Sequence, residues 1–441
     1  METRLSASPT VNMDRRVARK VALRILPLSF FLFCTAYLDR VNLGYAALQM
    51  NSAIGLSSQA FGLAAGVLFI GSALFELPSS TLVLRFGPKR WIARIIVTWG
   101  IVASLTAFVQ APWQLYALRF ALGVAEAGFI PAMVYYLSLW FRESERGFAT
   151  GLFLTAIPVT YLVGAPVSIG LLKSLHAFGI EGWRWMLFLE GLPAIFSGVL
   201  CYFLFDDAPE DARWLNEQER THLIRRIREE RESLPAARHL SAWKALANPM
   251  VLYLSFIYFL SQAGAFGIGY WLPQILKSLS AGFSLGQIGW LSAAPYLAAM
   301  VGLVVWGRLS DRFSERKWMA AAPLLLAAAG LYVAGQTDDP ALKIAALTVA
   351  VVGLFTNKPP LFSLMPQLFA PATVGVAVAV ISSLGNCGGL AGPYLIGLTH
   401  RWTGSSALGL SLLSVALAVG ALLTAMINTA APKTALQGDS G

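Results

Sequence analysis

Five ionisable residues lie within long apolar stretches of this chain, namely Asp39, Arg40, Arg119, Glu126 and Lys358. A charge in the middle of a membrane costs roughly 3 kcal/mol even on the mildest scale, so such residues normally face a protein interior or a water-filled cavity. There they act as substrate contacts or proton relays. Their summed charge is positive, which predicts an anionic cargo.

Asp39 and Arg40 are neighbours in the first apolar stretch, which we expect to form a helix beginning near Pro27. Adjacent helical residues point about 100° apart, so one can face a cavity while the other faces a neighbouring helix. An arginine in a cavity can bind a carboxylate through charge-assisted, bidentate hydrogen bonds, and we assign that role to Arg40. The alternative is an ion-pair network that only packs the helices together.

Arg119 and Glu126 are seven residues apart, so they share one face of the fourth predicted helix. A buried carboxylate holds its proton more tightly when it is desolvated and less tightly beside an arginine. We therefore predict that Glu126, together with Asp39, carries protons while Arg119 stabilises whichever carboxylate is charged. The alternative is a structural Arg–Glu bridge.

Lys358 lies near the centre of the tenth apolar stretch and precedes Pro359 and Pro360. Proline removes a backbone donor and breaks a helix, and broken helices expose backbone groups at the substrate sites of transporters. The expected partner of the ammonium group is a second carboxylate or a polyhydroxyl tail. The alternative is a lysine that extends along its own stem towards the membrane surface.

The composition places these residues in a membrane protein. Of the 441 residues, 56% are hydrophobic and 13% are charged, which is too apolar for a soluble core. A spanning helix takes about 20 apolar residues, whereas barrel strands alternate over about ten. The apolar stretches lie near residues 24–47, 60–83, 92–110, 113–140, 148–172, 184–205, 249–276, 287–307, 318–335, 343–369, 374–398 and 406–429.

The basic residues predict the orientation, because Lys and Arg accumulate in cytoplasmic loops. Most of the 33 Lys and Arg residues fall on the side of the N-terminus, so both termini are predicted to be cytoplasmic. The net charge of +10 is then a consequence of topology, and we predict no nucleic-acid binding. The absence of a glycosylation sequon favours a bacterial inner membrane. The histidines and cysteines lack the spacing of a metal site or a catalytic constellation, so we expect no enzyme, metal or cofactor.

An internal repeat divides the chain into two halves. Residues 82–91, LVLRFGPKRW, match residues 309–318, LSDRFSERKW, at Leu, Arg, Phe, two basic positions and Trp. Each copy follows the second stretch of its half, as duplication of a six-helix unit would produce.

A polar segment separates the two predicted bundles and contains an amphipathic helix, which we expect to lie on the cytoplasmic membrane surface. A regulatory partner site is the alternative. The predicted organisation is a cytoplasmic N-terminal segment at 1–23, a six-helix bundle at 24–205, the linker at 206–248, a second bundle at 249–430 and a cytoplasmic tail at 431–441.

The motifs resemble the major facilitator superfamily and, within it, the anion:cation symporter family of organic-anion transporters. The resemblance covers nearly the whole chain and implies an all-α membrane protein with twelve transmembrane helices in two pseudo-symmetric six-helix bundles. It further implies alternating access and proton-driven uptake of a carboxylate, and we expect a monomer. Eight segments carry it in order: YLDRVNLG (37–44), FELPSS (75–80), RFALGVAEAGFIPAMVYYLSLWF (119–141), WRWMLFLEGLPA (183–194), DAPEDARWL (207–215), YWLPQILK (270–277), GRLSDRFSERK (307–317) and SLGNCGGLAGP (383–393).

The resemblance also bears on individual residues. The positions matching Arg40 bind substrate in family members, and those matching Asp39 and Glu126 are the coupling acids. Asn386 is implied to hydrogen-bond the substrate, although simple helix–helix bonding is an alternative. Relatives often have a Phe-Trp pair where this chain has Leu361 and Phe362, which leaves an aromatic stacking role for Phe362 open. Apart from the resemblance, Tyr37, Ser72, Gln262 and Tyr258 are weaker candidate contacts, and a packing role with a satisfied polar group is the alternative for each.

The loop repeat resembles the superfamily signature that latches the cytoplasmic side when the cavity faces outward. Asp311, Arg312 and Arg316 form the complete copy. In the first copy Leu84 replaces the acid, so a latch at Arg85 is expected to be weaker or to use Glu76. Separately, Glu190 has Arg184 about two turns away, which favours a structural role for that acid.

The sequence therefore predicts proton-coupled symport of a small carboxylate, such as a sugar acid or a tartrate-like dicarboxylate. A phthalate-like or hydroxyphenylacetate-like aromatic acid, sodium coupling and facilitated diffusion are alternatives. Proton antiport or efflux is another, although the GxxxGPxxGG signature of antiporters is missing where the fifth helix reads YLVGAPVSIG.

Overall fold

The computed structural model describes residues 9–233, 242–279, 282–313 and 315–428, and most of them are helical. Within these ranges, twelve helical segments are long and apolar enough to cross a membrane. This confirms the twelve spans predicted from the apolar stretches.

The first half consists of six spans, two of which are each built from two helices. Helix α8 packs against α3 and α1, and α7 packs against α1. The helices are α1 (Pro9–Ala53), α2 (Ser58–Phe86), α3 (Pro88–Leu105), α4 (Pro112–Glu126), α5 (Phe129–Trp140), α6 (Glu143–Leu154), α7 (Ala156–Ser174) and α8 (Gly182–Leu204), with α4–α5 and α6–α7 each forming one span.

The polar helix α9 (Glu217–Ser233) and the five-residue helix α10 (Ala242–Leu246) follow, and then the second half repeats the pattern. Its helices are α11 (Pro249–Leu279), α12 (Leu285–Phe313), α13 (Lys317–Gln336), α14 (Pro340–Thr356), α15 (Lys358–Leu368), α16 (Pro371–Asn386), α17 (Gly388–Thr403) and α18 (Ala407–Met426). Here α14–α15 and α16–α17 each belong to one span.

Helix α1 is longer than the sequence suggests. The expectation that it begins near Pro27 is wrong, since α1 begins at Pro9 and Pro27 lies inside it. Proline removes one helical hydrogen bond, and a long helix packed among neighbours tolerates that loss. The residues before the apolar stretch therefore extend the same helix out of the membrane-spanning part.

This extension of α1 is bound by the linker helix α9. Lys20 Nζ lies 2.6 and 2.7 Å from the two carboxylate oxygens of Glu219, whose side chain is fully buried. Asp14 accepts a hydrogen bond of 2.8 Å from Arg226 and lies 2.5 Å from His222 Nε2. Helix α9 is thereby fixed to the first half.

Backbone interruptions divide the split spans at mid-membrane. Between α4 and α5, Gly128 adopts a left-handed conformation with φ +80°, and a Cβ atom there would lie 2.4 Å from Ser79 Oγ. A side chain is excluded for both reasons. In the tenth span, α14 ends at Thr356 and α15 begins at Lys358 with the two prolines in its first turn, so the predicted break is confirmed.

The two halves approach each other closely on the membrane side opposite the start of α1, which we call the far side. Gly62 and Gly66 of α2 lie against Pro393 and Leu390 of α17, where an added Cβ would come within 3 Å of the neighbouring atoms. We call the side on which α1 begins the entry side. The structure is therefore closed on the far side.

Polar residues reinforce this closure. We call this group of residues the far-side clasp. Its hydrogen bonds join the end of α1 and the start of α2 to α11 and α17. The bonds are Asn51 Nδ2 to Gln274 Oε1 (3.2 Å), Gln59 Nε2 to Tyr394 OH (3.0 Å), Ser58 Oγ with His400 Nδ1 (2.9 Å) and Arg401 to Gln59 Oε1.

Candidate functional site

Arg40 and Glu126 form an ion pair between α1 and α4. The Arg40 guanidinium donates through Nη2 to Glu126 Oε1 and through Nε to Oε2, the latter over 3.3 Å. Glu126 is the last residue of α4, directly before the break at Gly128, and its side chain is 2% exposed against 14% for Arg40. The structure thus pairs the predicted substrate arginine with a predicted proton carrier.

Aromatic rings surround the same guanidinium. The Arg40 Cζ atom lies 5.1 Å from the ring centroid of Tyr37, 5.4 Å from that of Phe69 and 5.7 Å from that of Phe266. Cation–π attraction at these distances favours the charged arginine in a desolvated setting. Phe69 and Phe266 come from opposite halves and their centroids are 4.5 Å apart, so they help to close the far side above Arg40.

Asp39 and Arg119 form a second, looser pair. Arg119 Nη1 lies 3.8 Å from Asp39 Oδ2, which is an ionic contact but is too long for a hydrogen bond. Neither carboxylate oxygen of Asp39 has a hydrogen-bond partner among the described residues. Arg119 instead donates from Nη2 to the hydroxyl of Tyr270, over 2.9 Å. Sequence reasoning missed Tyr270, although it begins the motif YWLPQILK.

Lys358 is the third cation that the sequence predicts within a membrane span. It is the first residue of α15, is partly buried, and makes no ion pair or hydrogen bond within the part of the chain that the structure describes. Its ammonium lies 5.2 Å from the ring centroid of Phe355. Asn357, at the break, turns its amide back to Ser261 and to carbonyls of α14. The lysine ammonium therefore has no acidic partner among the described residues, and its role towards substrate stays a prediction.

Rings connect the two cation positions. Tyr161 contacts Tyr37 edge-on at 6.0 Å and Phe355 edge-on at 6.4 Å, so a chain of aromatic groups runs from Arg40 to Lys358. Tyr161 also stacks on Tyr296 of the second half at 4.3 Å. Tyr161 and Tyr296 were not singled out in the sequence, because single aromatic residues in apolar helices carry no distinguishing pattern.

The remaining predicted substrate contacts lie in the second half. Asn386 ends α16 and accepts a 2.8 Å hydrogen bond from Gln262 of α11. Phe362 lies edge-on to Tyr258, with ring centroids 5.3 Å apart. Asn386 thus has a protein partner in this state, as the helix–helix alternative requires, and its role towards substrate stays a prediction.

The structure shows partners for two of the predicted latch residues, Glu76 and Arg316. Glu76 accepts a 2.9 Å hydrogen bond from Ser383, which lies in the other half. Arg85 is exposed near the ring of Phe86, and Arg316 donates to Ser310 over 2.7 Å. The side chain of Asp311 lies outside the described residues, and Arg312 is exposed.

Glu190 is buried and accepts a 2.8 Å hydrogen bond from Ser168. Arg184, two turns earlier, does not pair with it. That arginine binds Glu181 and the carbonyl oxygens of Ala107 and Val109 instead, because it lies at the far-side end of α8.

Comparisons with known proteins agree with this architecture. The sequence profile of the Major Facilitator Superfamily matches residues 29–393, with a second match over residues 254–440. A protein of Agrobacterium vitis named "Putative tartrate transporter" is 42% identical over 424 residues, which cover 96% of this chain and 97% of that protein. The "Quinolone resistance transporter" of Acinetobacter baumannii is 32% identical over 418 residues, covering 95% and 96% of the two chains.

Solved structures share the fold at low sequence identity. The xylose transporter XylE from E. coli, in an inward open conformation, superposes with a TM-score of 0.73 at 16% identity, covering 91% of this chain and 95% of that chain. This similarity confirms the predicted fold of twelve helices in two six-helix halves.

Proposed function

The chain belongs to the Major Facilitator Superfamily and is a membrane transporter rather than an enzyme, and we propose that it takes up a small organic anion together with protons. The observation that carries this proposal is Lys358, a cation inside the membrane region with no anionic partner among the described residues. A buried charge without a partner costs several kcal/mol, and a bound carboxylate would remove that cost.

Arg40 supplies a second anion contact only when Glu126 releases it. In the present state both donor atoms of the guanidinium point at Glu126. A proton on Glu126 neutralises that carboxylate, and the guanidinium then becomes available to a substrate carboxylate. Proton binding and anion binding therefore support each other at this site, which is the requirement for symport.

Two available cations suit a sugar acid or a dicarboxylate, and the similarity to a protein named as a tartrate transporter supports that class. We place uptake in a bacterial inner membrane with cytoplasmic termini, since the basic loops lie on the entry side. The transport cycle is alternating access, in which the present far-side closure is one of the end states. The working unit is a monomer.

The aromatic chain from Arg40 to Lys358 favours an aromatic acid as the second candidate substrate. The rings of Tyr37, Tyr161 and Phe355 lie between the two cations, so a substrate that bridges the cations would lie in aromatic surroundings. Efflux is the alternative direction.

Uptake by proteoliposomes tests this function. Purified protein is offered a panel of hydroxy, dicarboxylic and aromatic acids with and without an imposed pH gradient, acidic outside. We expect accumulation of one class that needs the gradient and is lost in Arg40→Ala, whereas replacement of the exposed Arg90 by Ala has little effect. Normal transport by Arg40→Ala would show that the substrate site is elsewhere.

A further inference from the structure

One hydrogen bond links the ion pairs of the first half directly to the second half. Arg119 belongs to α4 and Tyr270 to α11, and the bond from Arg119 Nη2 to Tyr270 OH measures 2.9 Å. Both residues are buried, with 2% and 1% exposure. This contact depends on how the two halves are arranged.

The Arg119 guanidinium also lies beside Asp39 but forms no hydrogen bond with it. The 3.8 Å separation from Asp39 Oδ2 exceeds hydrogen-bond length, and both Asp39 oxygens lack hydrogen-bond partners within the described ranges. Arg119 Nε is also unpartnered there. A charged carboxylate at this position is poorly compensated, although an arginine lies beside it.

Tyr270 differs from the other groups that act on Asp39. Those groups are Arg40 on its own helix, the indole of Trp99 on α3, Arg119 and Glu126 on α4, Glu190 on α8 and Tyr270 on α11. All but Tyr270 belong to the first half and so move together with Asp39. Among these groups, Tyr270 alone changes its position relative to Asp39 when the halves move apart.

The backbone around Tyr270 ties its hydroxyl to closure of the far side. A Cβ atom on Gly44 of α1 would lie 2.8 Å from the carbonyl oxygen of Tyr270, so the two helices touch at this level. One turn further along α11, Gln274 accepts the clasp hydrogen bond from Asn51. Separation of the halves on the far side would withdraw the Tyr270 hydroxyl from Arg119.

We propose that Tyr270 is a positioning residue that couples the proton on Asp39 to closure of the far side. With the far side closed, Tyr270 holds Arg119 away from Asp39, and the neutral, protonated form of Asp39 is favoured. With the far side open, Arg119 is free to close on the Asp39 carboxylate, and the charged form is favoured. This inference rests on the proposed proton symport and extends it.

The direction of the coupling agrees with uptake. Coupling between two equilibria is reciprocal, so if closure favours protonated Asp39, then protonation of Asp39 favours closure. A protonated carrier therefore closes on the far side and faces the entry side. Loss of the Asp39 proton on the entry side favours reopening of the far side, so the empty carrier returns to the conformation that faces the far side.

The test compares Tyr270→Phe with wild type in a far-side accessibility assay. The probe is a membrane-impermeant maleimide, and the reporter is Leu390→Cys in a background without native cysteines that retains uptake, because Leu390 packs on Gly66 of α2 when the far side is closed. Tyr253→Phe is the matched control, since it removes a hydroxyl from the same helix that bonds only within the second half.

In wild type we expect labelling to slow as the pH is lowered, because protonation favours closure. Tyr270→Phe should reduce the change in labelling rate with pH about tenfold. Loss of one hydrogen bond to a charged group changes an equilibrium constant by about that factor. Tyr253→Phe should keep the wild-type pH profile. A wild-type pH profile in Tyr270→Phe overturns the proposal.

Asp39→Asn provides an independent test, since asparagine imitates the neutral acid. Labelling in this variant should be slow at every pH, and adding Tyr270→Phe should restore no pH dependence. Persistence of the wild-type pH profile in Asp39→Asn also overturns the proposal. Proton-driven uptake by the wild type is measured in parallel, so failure of the proposed symport is distinguished from failure of the Tyr270 coupling.

Discussion

The guanidinium of Arg40 and the carboxylate of Glu126 meet through two donor atoms, although 86 residues separate them in the chain. They pair at the point where α4 ends, immediately before the left-handed Gly128. The pair joins the proposed substrate-binding residue to a proposed proton carrier. The protonation state of Glu126 therefore decides whether Arg40 is free to bind an anion.

Glu126→Gln should separate exchange from accumulation. The amide keeps the shape of the protonated acid and leaves Arg40 free of a charged partner, so anion exchange across the membrane should persist. Accumulation driven by a pH gradient should fall at least about tenfold, since the proton site is lost. Counterflow and gradient-driven uptake are measured in the same proteoliposomes, with the exposed Glu143→Gln as control. Full gradient-driven accumulation by Glu126→Gln would exclude this acid as a proton carrier.

Lys358→Met should weaken anion binding while leaving the fold intact, because the ammonium has no protein partner in the described structure to lose. A hydrogen bond to a charged group contributes about 1.5–3 kcal/mol, which corresponds to an affinity loss of roughly 10- to 100-fold. Binding is measured by ligand-induced thermal stabilisation and by the KM of uptake. The exposed Lys173→Met serves as control. Unchanged affinity would show that the substrate does not contact Lys358.

Gln59→Ala should loosen far-side closure. This side chain donates to Tyr394 and accepts from Arg401, so the variant removes two hydrogen bonds between the halves. At about 0.5–1.5 kcal/mol each, their loss should raise far-side labelling by roughly 5- to 150-fold. Gln336→Ala is the matched control, because Gln336 is also on the far side but bonds to Ser411 within one half. Equal labelling of both variants would argue against the clasp.

Glu219 should make docking of α9 dependent on pH. The hydrogen bond from Lys20 lowers the pKa of Glu219, and Arg16 lies 3.1 Å from the same carboxylate. A depressed pKa in the docked state means that the stabilisation is present at neutral pH and is lost as the pH falls through that pKa. The protection of the α9 amides against hydrogen exchange, corrected for the intrinsic exchange rate at each pH, should therefore fall at acidic pH in wild type.

Glu219→Gln should show fast exchange of α9 already at neutral pH, because it cannot form the ion pair. The control is Glu217→Gln, since Glu217 is exposed and pairs only with Arg220 on the same helix among the described residues. Slow exchange in Glu219→Gln at neutral pH would show that the buried ion pair does not hold α9.

The sequence by itself determined the membrane-spanning character of the chain and the identity of its unusual residues. Twelve apolar stretches predict twelve spans because the hydrophobic thickness of a bilayer sets a minimum helix length. The break before Lys358 followed from two consecutive prolines, whose missing N–H groups act locally. Arg40, Glu126 and Lys358 stood out because charge in apolar surroundings is costly wherever the helices pack.

Only the tertiary structure decided which charges meet. Nothing in the spacing shows that Arg40 pairs with Glu126 while Arg119 turns to Tyr270, since these partners come from different helices. Hydropathy measures how a segment partitions between water and lipid, and it contains no information about rotation of one helix against another. The break at Gly128 and the clasp at Gln59 were missed for the same reason, because both depend on close approach between helices that are distant in the chain.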